Sequence, residues 1–235
     1  MITGTIARIS GPVITAKKMT GSRMYDVVSV GSAALPGEII RLEGDEAVIQ
    51  VYEDTTGLLI HEPVKNTGVP LSVELGPGLL ASIYDGVQRP LPALFAKSGN
   101  YIQRGIMVPG LDREKKWVFT PVKKPGEMVS QGDVIGTVQE FHLVHFIMVP
   151  PGISGEIKTI TSGEYTVTEP VCVLADGTQI PMLQRWPVRK GRPFVKRLDP
   201  EVPLLTGQRV FDTMFPLVKG GTAMILVTGA GGHIG

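Results

Sequence analysis

The sequence contains a single cysteine, Cys172, and lacks any long uninterrupted run of apolar residues. One cysteine excludes a disulfide framework and suits a reducing compartment. A membrane-spanning helix needs about 18 or more consecutive apolar residues, so we expect no membrane span. The N-terminus also lacks the basic-then-apolar pattern of a signal peptide. These absences predict a cytoplasmic chain that reaches a membrane only through something else.

Charge of one sign is also lacking, because 23 basic residues face 22 acidic residues and the formal net charge is +1. This balance gives no argument for binding nucleic acid or an anionic membrane surface. A basic run extends from Arg185 to Arg197, but it holds one Trp and one Phe and is broken by prolines. We interpret it as a solvated or subunit-facing linker.

Helical periodicity is scarce, whereas short β-branched runs are separated throughout by the 29 glycines and 19 prolines. This pattern is typical of many short strands and predicts a mainly β protein. Residues 1–70 alternate apolar and polar side chains, which predicts a closed barrel of about six strands, since closure hides the strand edges. The predicted turns between these strands are Gly11-Pro12, Gly31-Ser32, Pro36-Gly37 and Gly44-Asp45.

Two stretches favour a helix. Residues 78–88 carry apolar side chains at helical spacing, and Pro90 would end that helix. Thr206 is a plausible N-cap for a second helix over residues 207–215. The side chains on the predicted apolar faces are Leu79, Leu80, Ile83 and Val87 in the first helix, and Val210, Met214 and Leu217 in the second.

The strand-rich residues 111–188 resemble a biotinyl- or lipoyl-carrier barrel. The pattern GE-x-V-x-x-GD-x-IG-x-V at 126–138 resembles one half of such a barrel, and GISGEIKTITSGEYTV at 152–167 resembles the other. In a carrier, an exposed Lys between the halves takes the prosthetic group. Here the residues at the tip are Glu140-Phe141-His142-Leu143, so we expect the shape of a carrier without its chemistry.

Other reactive side chains have ordinary explanations. In a strand, His142 and His145 would point to opposite faces, and no ligand pair lies beside them, so we expect no metal site. Cys172 lies in an apolar strand and is expected to be a buried, inert thiol. Glu53 and Asp54 suggest a turn at the barrel rim rather than an acid–base pair. The sequence therefore predicts no catalytic residue.

The order of these segments resembles the catalytic A subunit of the archaeal A-type ATP synthase, a relative of the vacuolar-type ATPase A subunit. The resemblance covers residues 1–223, and its stretch LSVELGPGLLASIYDGVQRPL is highly specific. The residues that carry it are SGPV at 10–13, MYDVV at 24–28, GEIIRLEG at 37–44, IQVYEDTTGL at 49–58, LSVELGPGLLASIYDGVQRPL at 71–91, GDVIGTVQE at 132–140, IMVPP at 147–151, RWPVRKGRP at 185–193 and PLLTGQRVFDTMFPLVKGGTA at 203–223.

The resemblance implies a layout that is mainly β with an α/β part. The N-terminal barrel, residues 1–70, would form the crown of a six-membered ring. Residues 71–110 would start the nucleotide-binding domain, and residues 111–188 would form a β-rich, barrel-sandwich-like bulge. Residues 189–235 would return to that domain, which is a P-loop-type α/β fold truncated at its phosphate loop.

The resemblance also implies partners and cofactors. The A subunits would alternate with B subunits in the ring and contact central and peripheral stalk subunits, with no nucleic acid involved. Such a subunit is cytoplasmic and peripheral to the cell membrane, where ATP synthesis or hydrolysis is coupled to proton or sodium transport. The implied cofactors are ATP or ADP with Mg²⁺.

A phosphate loop of the form GPFGSGKT follows GGTA in this family. Its backbone N–H groups hold phosphates, its Lys reaches the terminal phosphates, and its Thr holds magnesium. Alignment without gaps from GGTA puts His233 at the Lys position and Ile234 at the Thr position. Isoleucine cannot hold magnesium, so we expect this chain alone to be inactive and not to bind ATP. The candidate nucleotide-binding residues are Gly229, Gly231, Gly232, His233 and Ile234.

The last twelve residues, MILVTGAGGHIG, resemble instead the start of a short-chain dehydrogenase or epimerase. They give a strand followed by Gly229, Gly232 and Gly235, the spacing of a dinucleotide-binding turn. We favour a junction after Ala223, although a divergent phosphate loop would give a similar pattern. Two alternatives to a catalytic subunit follow: a non-catalytic assembly or decoy fragment, and a decayed gene fused to the start of an NAD-binding protein.

Overall fold

The first six strands of the computed structural model close into a barrel in the order β1-β2-β5-β4-β3-β6. The structure describes residues 2–80, 82–194 and 196–223. All neighbouring strands run antiparallel. The predicted closed barrel is therefore confirmed. The strands are β1 Thr3–Ser10, β2 Val13–Lys17, β3 Asp26–Val30, β4 Leu35–Glu43, β5 Glu46–Val51 and β6 Pro63–Pro70.

Alternation fills the barrel, because every second side chain points to its interior. The buried side chains are mostly aliphatic, and several have no exposed surface, among them Ile6, Ile14, Ile39, Ile49 and Val64. Such burial contributes about 25 cal/mol for each Å² of apolar surface removed from water. The barrel thus has an apolar core of its own.

Three of the four predicted barrel turns are present, and the turn at Pro36-Gly37 is wrong. Both residues lie within β4, where Pro36 pairs with Ser29 and Gly37 with Val51. A Cβ on Gly37 would come 2.8 Å from the backbone oxygen of Gln50. The glycine is needed for close approach of two strands rather than for a reversal of the chain.

The predicted helix over residues 78–88 is also wrong, since the described part of that stretch holds turns and a single bridge. Strand β7, Ser72–Leu75, precedes it, and helix α1, Leu91–Ser98, follows it. The Asp85 carboxylate accepts hydrogen bonds from the backbone N–H groups of Val87 and Arg89 at 3.1 and 2.8 Å. These side-chain bonds favour a turn over a helix. Pro90 therefore precedes a helix instead of ending one, as proline suits a first turn.

Two four-stranded sheets form a sandwich around a second core, in the orders β11-β10-β8-β13 and β15-β14-β12-β9. Phe119, with no exposed surface, packs edge-on against the ring of Tyr165, with 6.3 Å between the ring centroids. The strands are β8 Trp117–Pro121, β9 Met128–Val129, β10 Val134–Glu140, β11 Leu143–Met148, β12 Gly155–Ile160, β13 Gly163–Tyr165, β14 Pro170–Leu174 and β15 Gln179–Pro181.

The sandwich is inserted between two paired strands. Strand β16, Gln184–Pro187, returns to pair antiparallel with β7, so that Arg185 lies opposite Glu74. The chain therefore leaves the segment after the barrel, builds the sandwich and comes back to the same two-stranded sheet. The exact bounds of the four predicted domains stay predictions.

Residues 192–223 belong to a separate unit that begins at Arg192. Strands β17, Pro203–Leu204, and β18, Leu217–Val218, pair around helix α2, Arg209–Met214. The N-cap of α2 is Gln208, so the prediction of Thr206 is wrong. The Thr206 hydroxyl donates to Asp212 at 2.7 Å and accepts from the Gln208 N–H at 3.1 Å, which places Thr206 in the turn before the cap.

The predicted apolar stripe of α2 is not buried. Val210 and Met214 are 61% and 72% exposed, and Leu217 lies in β18 rather than on the helix. The predicted phosphate-loop part of the α/β domain lies outside the described residues.

Candidate functional site

The predicted nucleotide-binding residues lie beyond Ala223, where the described part of the chain ends. The same holds for the strand and the glycine spacing that resemble a dehydrogenase. Both predictions therefore concern residues outside the described ranges, namely Gly229, Gly231, Gly232, His233, Ile234 and Gly235. The functional features that the structure does describe are buried charged groups that join the barrel to the segments after it.

Arg89 holds the barrel and the following segment together. Its Nη1 lies 2.7 Å from a Glu53 oxygen, and its Nε lies 2.6 Å from an Asp85 oxygen. The same Nη1 donates to the Ile106 carbonyl at 2.9 Å, and the Gly105 N–H donates to Glu53 at 2.6 Å. Arg89 is 8% exposed, so these bonds lie away from bulk water, where charge-assisted bonds are strongest.

The electrostatics of this cluster follow from those contacts. Burial acts to lower the pKa of Arg89, but hydrogen bonds to Asp85 and Glu53 outweigh it and raise that pKa. Burial acts to raise the pKa of Asp85, yet hydrogen bonds from Arg89 and Val87 keep it below the ordinary value. A cavity of about 340 Å³ adjoins the cluster. Its lining charges are already paired with each other, so the cluster holds structure together rather than offering a free acid or base.

Glu53 and Asp54 do not form an acid–base pair. Glu53 contacts Arg89, whereas Asp54 accepts from the backbone N–H and the hydroxyl of Thr56 at 3.0 and 2.8 Å. The Arg104 guanidinium donates to the backbone oxygens of Asp54 and Thr56. The two carboxylates thus have separate structural partners, as expected for the rim of the barrel.

The hairpin between β10 and β11 has the carrier-like tip that the sequence predicts, with Phe141 and His142 in its turn. Glu140, at the start of this turn, has no exposed surface. Its carboxylate accepts from the backbone N–H groups of Gly78 and Leu80 at 2.7 and 3.3 Å. A carrier would present a Lys at this tip. This chain instead uses the tip region to anchor the hairpin to the segment after the barrel.

The two histidines near this tip do not share a site. His145 Nδ1 lies 3.0 Å from the second Glu140 oxygen, and His142 is exposed in the turn. Among the described residues, no group of three or more His, Cys, Asp or Glu side chains could hold a metal ion. Cys172 is 1% exposed, and this burial raises the pKa of its thiol, which keeps it protonated and unreactive.

Arginines of the basic run contact carboxylates elsewhere in the chain. Arg189 lies 2.6 Å from a Glu38 oxygen and its guanidinium stacks 4.5 Å from the Tyr25 ring centre. Arg185 lies 3.2 Å from Glu74. These bonds tie the returning strand to the barrel and to β7, in keeping with a linker.

Sequence reasoning missed Glu74, Arg89 and Glu140 as buried ionic groups. Their partners lie up to 111 residues away, as for Arg185 and Glu74. The one signal in the sequence is that each is a lone charged residue within a largely apolar or glycine-rich stretch. No spacing rule connects such residues to their partners.

Comparison with known proteins agrees with this architecture. Residues 6–68 match the beta-barrel domain of the ATP synthase alpha/beta family. Residues 108–189 match the barrel-sandwich domain of the ATP synthase alpha/beta subunit. The barrel and the inserted sandwich, in this order, define the chain as part of an ATP synthase alpha/beta-type subunit.

Individual relatives narrow this class. The chain is 89% identical over 225 residues to one A-type ATP synthase A subunit of Methanospirillum hungatei, numbered 2 in that organism, which covers 96% of this chain and 38% of the relative. It is 57% identical to the A-type ATP synthase A subunit of Methanoculleus marisnigri, over 94% of this chain and 38% of that relative. The V-type ATP synthase alpha chain of Thermoanaerobacter pseudethanolicus is 55% identical, over 96% of this chain and 39% of that relative.

The chain belongs to the family of A-type and V-type ATP synthase A subunits. It spans 38% of the length of the first of these relatives. The resemblance predicted from the sequence is thereby confirmed, while the dehydrogenase-like interpretation of the last twelve residues has no support among the relatives. None of the helices in the described ranges is both long and apolar enough to cross a bilayer.

Proposed function

We propose that this chain supplies the barrel and the barrel-sandwich insert of the catalytic A subunit of an ion-translocating ATP synthase. The observation that supports this most is the presence of both domains, each with its own core, in a chain 89% identical to the A subunit of an A-type ATP synthase. The barrel would alternate with barrels of B subunits in a six-membered ring. The stalk subunits would be further partners, and the complex would be peripheral to the cell membrane.

The proposal gives this stretch a role in assembly and in positioning. The buried bonds of Arg89 and Glu140 fix the segment after the barrel to the barrel and to the insert, respectively. That segment leads, by the family's layout, into the domain that binds ATP or ADP with Mg²⁺. The barrel and the insert would thus hold the beginning of that domain in a fixed position.

We do not propose ATP turnover by these 235 residues alone. The positions of the family's phosphate-loop Lys and Thr are occupied by His233 and Ile234. A neutral imidazole is a weaker partner for a phosphate than an ammonium group, and isoleucine offers no oxygen to magnesium. We propose that ATP binding depends on sequence of the kind found in the rest of the longer relatives.

Co-expression tests the assembly role. The tagged chain would be produced with the B subunit of the Methanospirillum complex and analysed by native mass spectrometry. We expect complexes that contain both chains. The control is the Val28→Asp variant, which puts a charge into the barrel core and should abolish the complexes. Absence of any complex with the folded unaltered chain would contradict the proposal.

Calorimetric titration with MgATP tests the second part. We expect no binding by the 235-residue chain at micromolar concentrations, whereas the full-length relative serves as the positive control. Magnesium-dependent ATP binding in the micromolar range would show that the divergent residues still form a working phosphate loop.

The alternative function is a non-catalytic fragment that enters the ring as an assembly factor or decoy. The matched barrel and insert favour it as much as they favour a catalytic subunit, because both roles need the same surfaces. The two differ in the effect of the chain on ATPase activity. Added to assembling complexes, a decoy would lower that activity in proportion to its incorporation.

A further inference from the structure

Asp26 is a buried acid that forms no ion pair within the described part of the chain. The residue begins strand β3 at one end of the barrel and is 4% exposed. Its Oδ2 accepts a hydrogen bond from the Arg23 backbone N–H at 3.0 Å and another from Asn66 Nδ2 at 2.9 Å. Among the ion pairs within 4.0 Å that the described residues form, none includes Asp26.

The other buried carboxylates of the described chain all have a basic partner. Glu38, as buried as Asp26, illustrates the difference, since the Arg189 guanidinium contacts it at 2.6 Å. Burial of a charge without a partner is costly, and folded proteins rarely leave one uncompensated. The remaining pairs are Glu74 with Arg113 and Arg185, and Glu140 with His145.

A surface cavity lies over this carboxylate. Its volume is about 230 Å³, and Asp26 and Asn66 line it together with Gly21, Arg23 and Gly68. A water molecule in the liquid takes about 30 Å³, so the cavity has room for the head group of a long side chain. The neighbouring Ser22 hydroxyl is buried and has no hydrogen-bond partner in the described structure. The cavity thus combines an uncompensated negative charge with an unused hydroxyl nearby.

The chemistry of the lining favours an organic cation over a metal ion. Calcium and magnesium need about six or more oxygen ligands, whereas the lining offers one carboxylate. Both polar atoms of the Asn66 side chain are in use, one as donor to Asp26 and one as acceptor from the Gly68 N–H at 2.7 Å. An ammonium or guanidinium group brings its own donors and needs only acceptors.

We propose that this cavity receives a Lys or Arg side chain from a neighbouring protein chain, with Asp26 as its counter-charge. The inference rests on the proposed function, since assembly into a ring is what would bring a second chain to the barrel. The incoming cation would pair with the buried carboxylate and turn an unfavourable group of the isolated chain into a contact between chains. Arg23, which lines the same cavity, would move aside or share the carboxylate.

The first test uses thermal unfolding of the complete 235-residue chain. Asp26→Asn removes the charge, while the amide oxygen can still accept both hydrogen bonds. We expect this variant to unfold about 2–4 °C higher than the unaltered chain. The matched control is Glu38→Gln, which removes a buried carboxylate that has its cation and should lower the midpoint. An unchanged or lower midpoint for Asp26→Asn overturns the idea of an uncompensated charge.

The second test does not depend on a variant that folds. The Asn66 side-chain amide signals of the isotope-labelled chain would be followed by NMR during titration with N-ethylguanidinium chloride. We expect saturable shifts that tetramethylammonium, a cation without N–H donors, does not produce. Equal shifts with sodium, potassium or calcium chloride would identify a metal-ion site instead, and no shift with any cation would overturn the proposal.

The two proposals can fail separately. If the unaltered chain forms no complex with B subunits but binds N-ethylguanidinium at Asp26, the assembly function fails and the cation site stands. If complexes form equally well with the unaltered chain and with Asp26→Asn, the assembly function stands and the site is overturned. A loss of at least tenfold in complex formation by Asp26→Asn, with Glu38→Gln unaffected, supports both.

Discussion

Arg89 contacts Glu53 across the boundary between the barrel and the segment that follows it, with 2.7 Å between Nη1 and Oε1. The two residues are separated by 36 positions in the chain. Asp85 completes the cluster at 2.6 Å from Arg89 Nε. Because all three side chains are mostly buried, this cluster determines how the chain leaves the barrel.

Replacement of Arg89 by Met should therefore destabilise the chain strongly. Both carboxylates would stay buried without a counter-charge, and breaking such a pair typically costs about 3 kcal/mol or more. Urea unfolding followed by circular dichroism would measure the change. Arg41→Gln is the control, since Arg41 and Glu43 are 64% and 62% exposed and their pair should be worth about 0–1 kcal/mol. Equal losses for the two variants would show that the cluster has no special weight.

Replacement of Glu140 by Ala should free the hairpin tip from the segment after the barrel. The Gly78 and Leu80 N–H groups would lose their acceptor, and hydrogen bonds to a charged group contribute about 1.5–3 kcal/mol each. Hydrogen exchange with mass spectrometry should show faster exchange at residues 78–80 and at the tip together. Glu164→Ala, on an exposed position of β13, should leave both regions protected. Unchanged exchange in the Glu140 variant would contradict the anchoring role.

Gly105 should not tolerate alanine. Its φ is +73°, and an added Cβ would overlap the backbone oxygen of Ala33. Its N–H also donates to Glu53 at 2.6 Å, so a backbone shift would disturb the Arg89 cluster as well. Gly126→Ala isolates the backbone contribution, because Gly126 has a φ of +88° with nothing within 4 Å of the added atom. We expect Gly126→Ala to cost about 1–2 kcal/mol and Gly105→Ala clearly more, both by urea unfolding.

Tyr52 should give the barrel a distinct response to alkaline pH. Burial, together with the negative charge of Glu38, raises the pKa of Tyr52 to about 12 from its ordinary value of 10.0. A raised folded-state pKa means that the associated stability is complete below pH 10 and is lost as the pH rises towards 12. Ultraviolet absorbance should show one phenol that ionises about two pH units late.

The variants of this tyrosine provide the control. Tyr52→Phe should remove the late ionisation and flatten the fall in stability between pH 10 and 12. Tyr101→Phe, which alters a side chain that is 85% exposed, should leave both unchanged. A late ionisation that persists in Tyr52→Phe would assign it to another tyrosine.

Local patterns predicted the strands well and the helices poorly. Strict alternation over residues 1–70 led to the closed barrel, because a strand with one buried face needs an apolar side chain at every second position. The corresponding helical spacing over residues 78–88 predicted a helix that the structure lacks. There the Asp85 carboxylate satisfies backbone N–H groups that a helix would need, and sequence periodicity does not register that competition.

The candidate site shows the same division. The hairpin tip without a lysine was predictable from Glu140-Phe141-His142-Leu143, since it depends on residues that are adjacent in the chain. The burial of the Glu140 carboxylate against Gly78 was not, because 62 residues separate them. Pro36-Gly37 was mistaken for a turn on composition alone, although the glycine makes room for the neighbouring strand.

The sequence by itself determined the mainly β fold, the closed barrel, the carrier-like shape of the insert and the family, because alternation, turn residues and specific motifs are local properties. Only the tertiary structure decided which charges are paired. Arg89 with Glu53, Arg189 with Glu38 and the uncompensated Asp26 depend on which distant segments meet and how far they exclude water. The cost of a buried charge is set by that meeting, which no stretch of neighbouring residues contains.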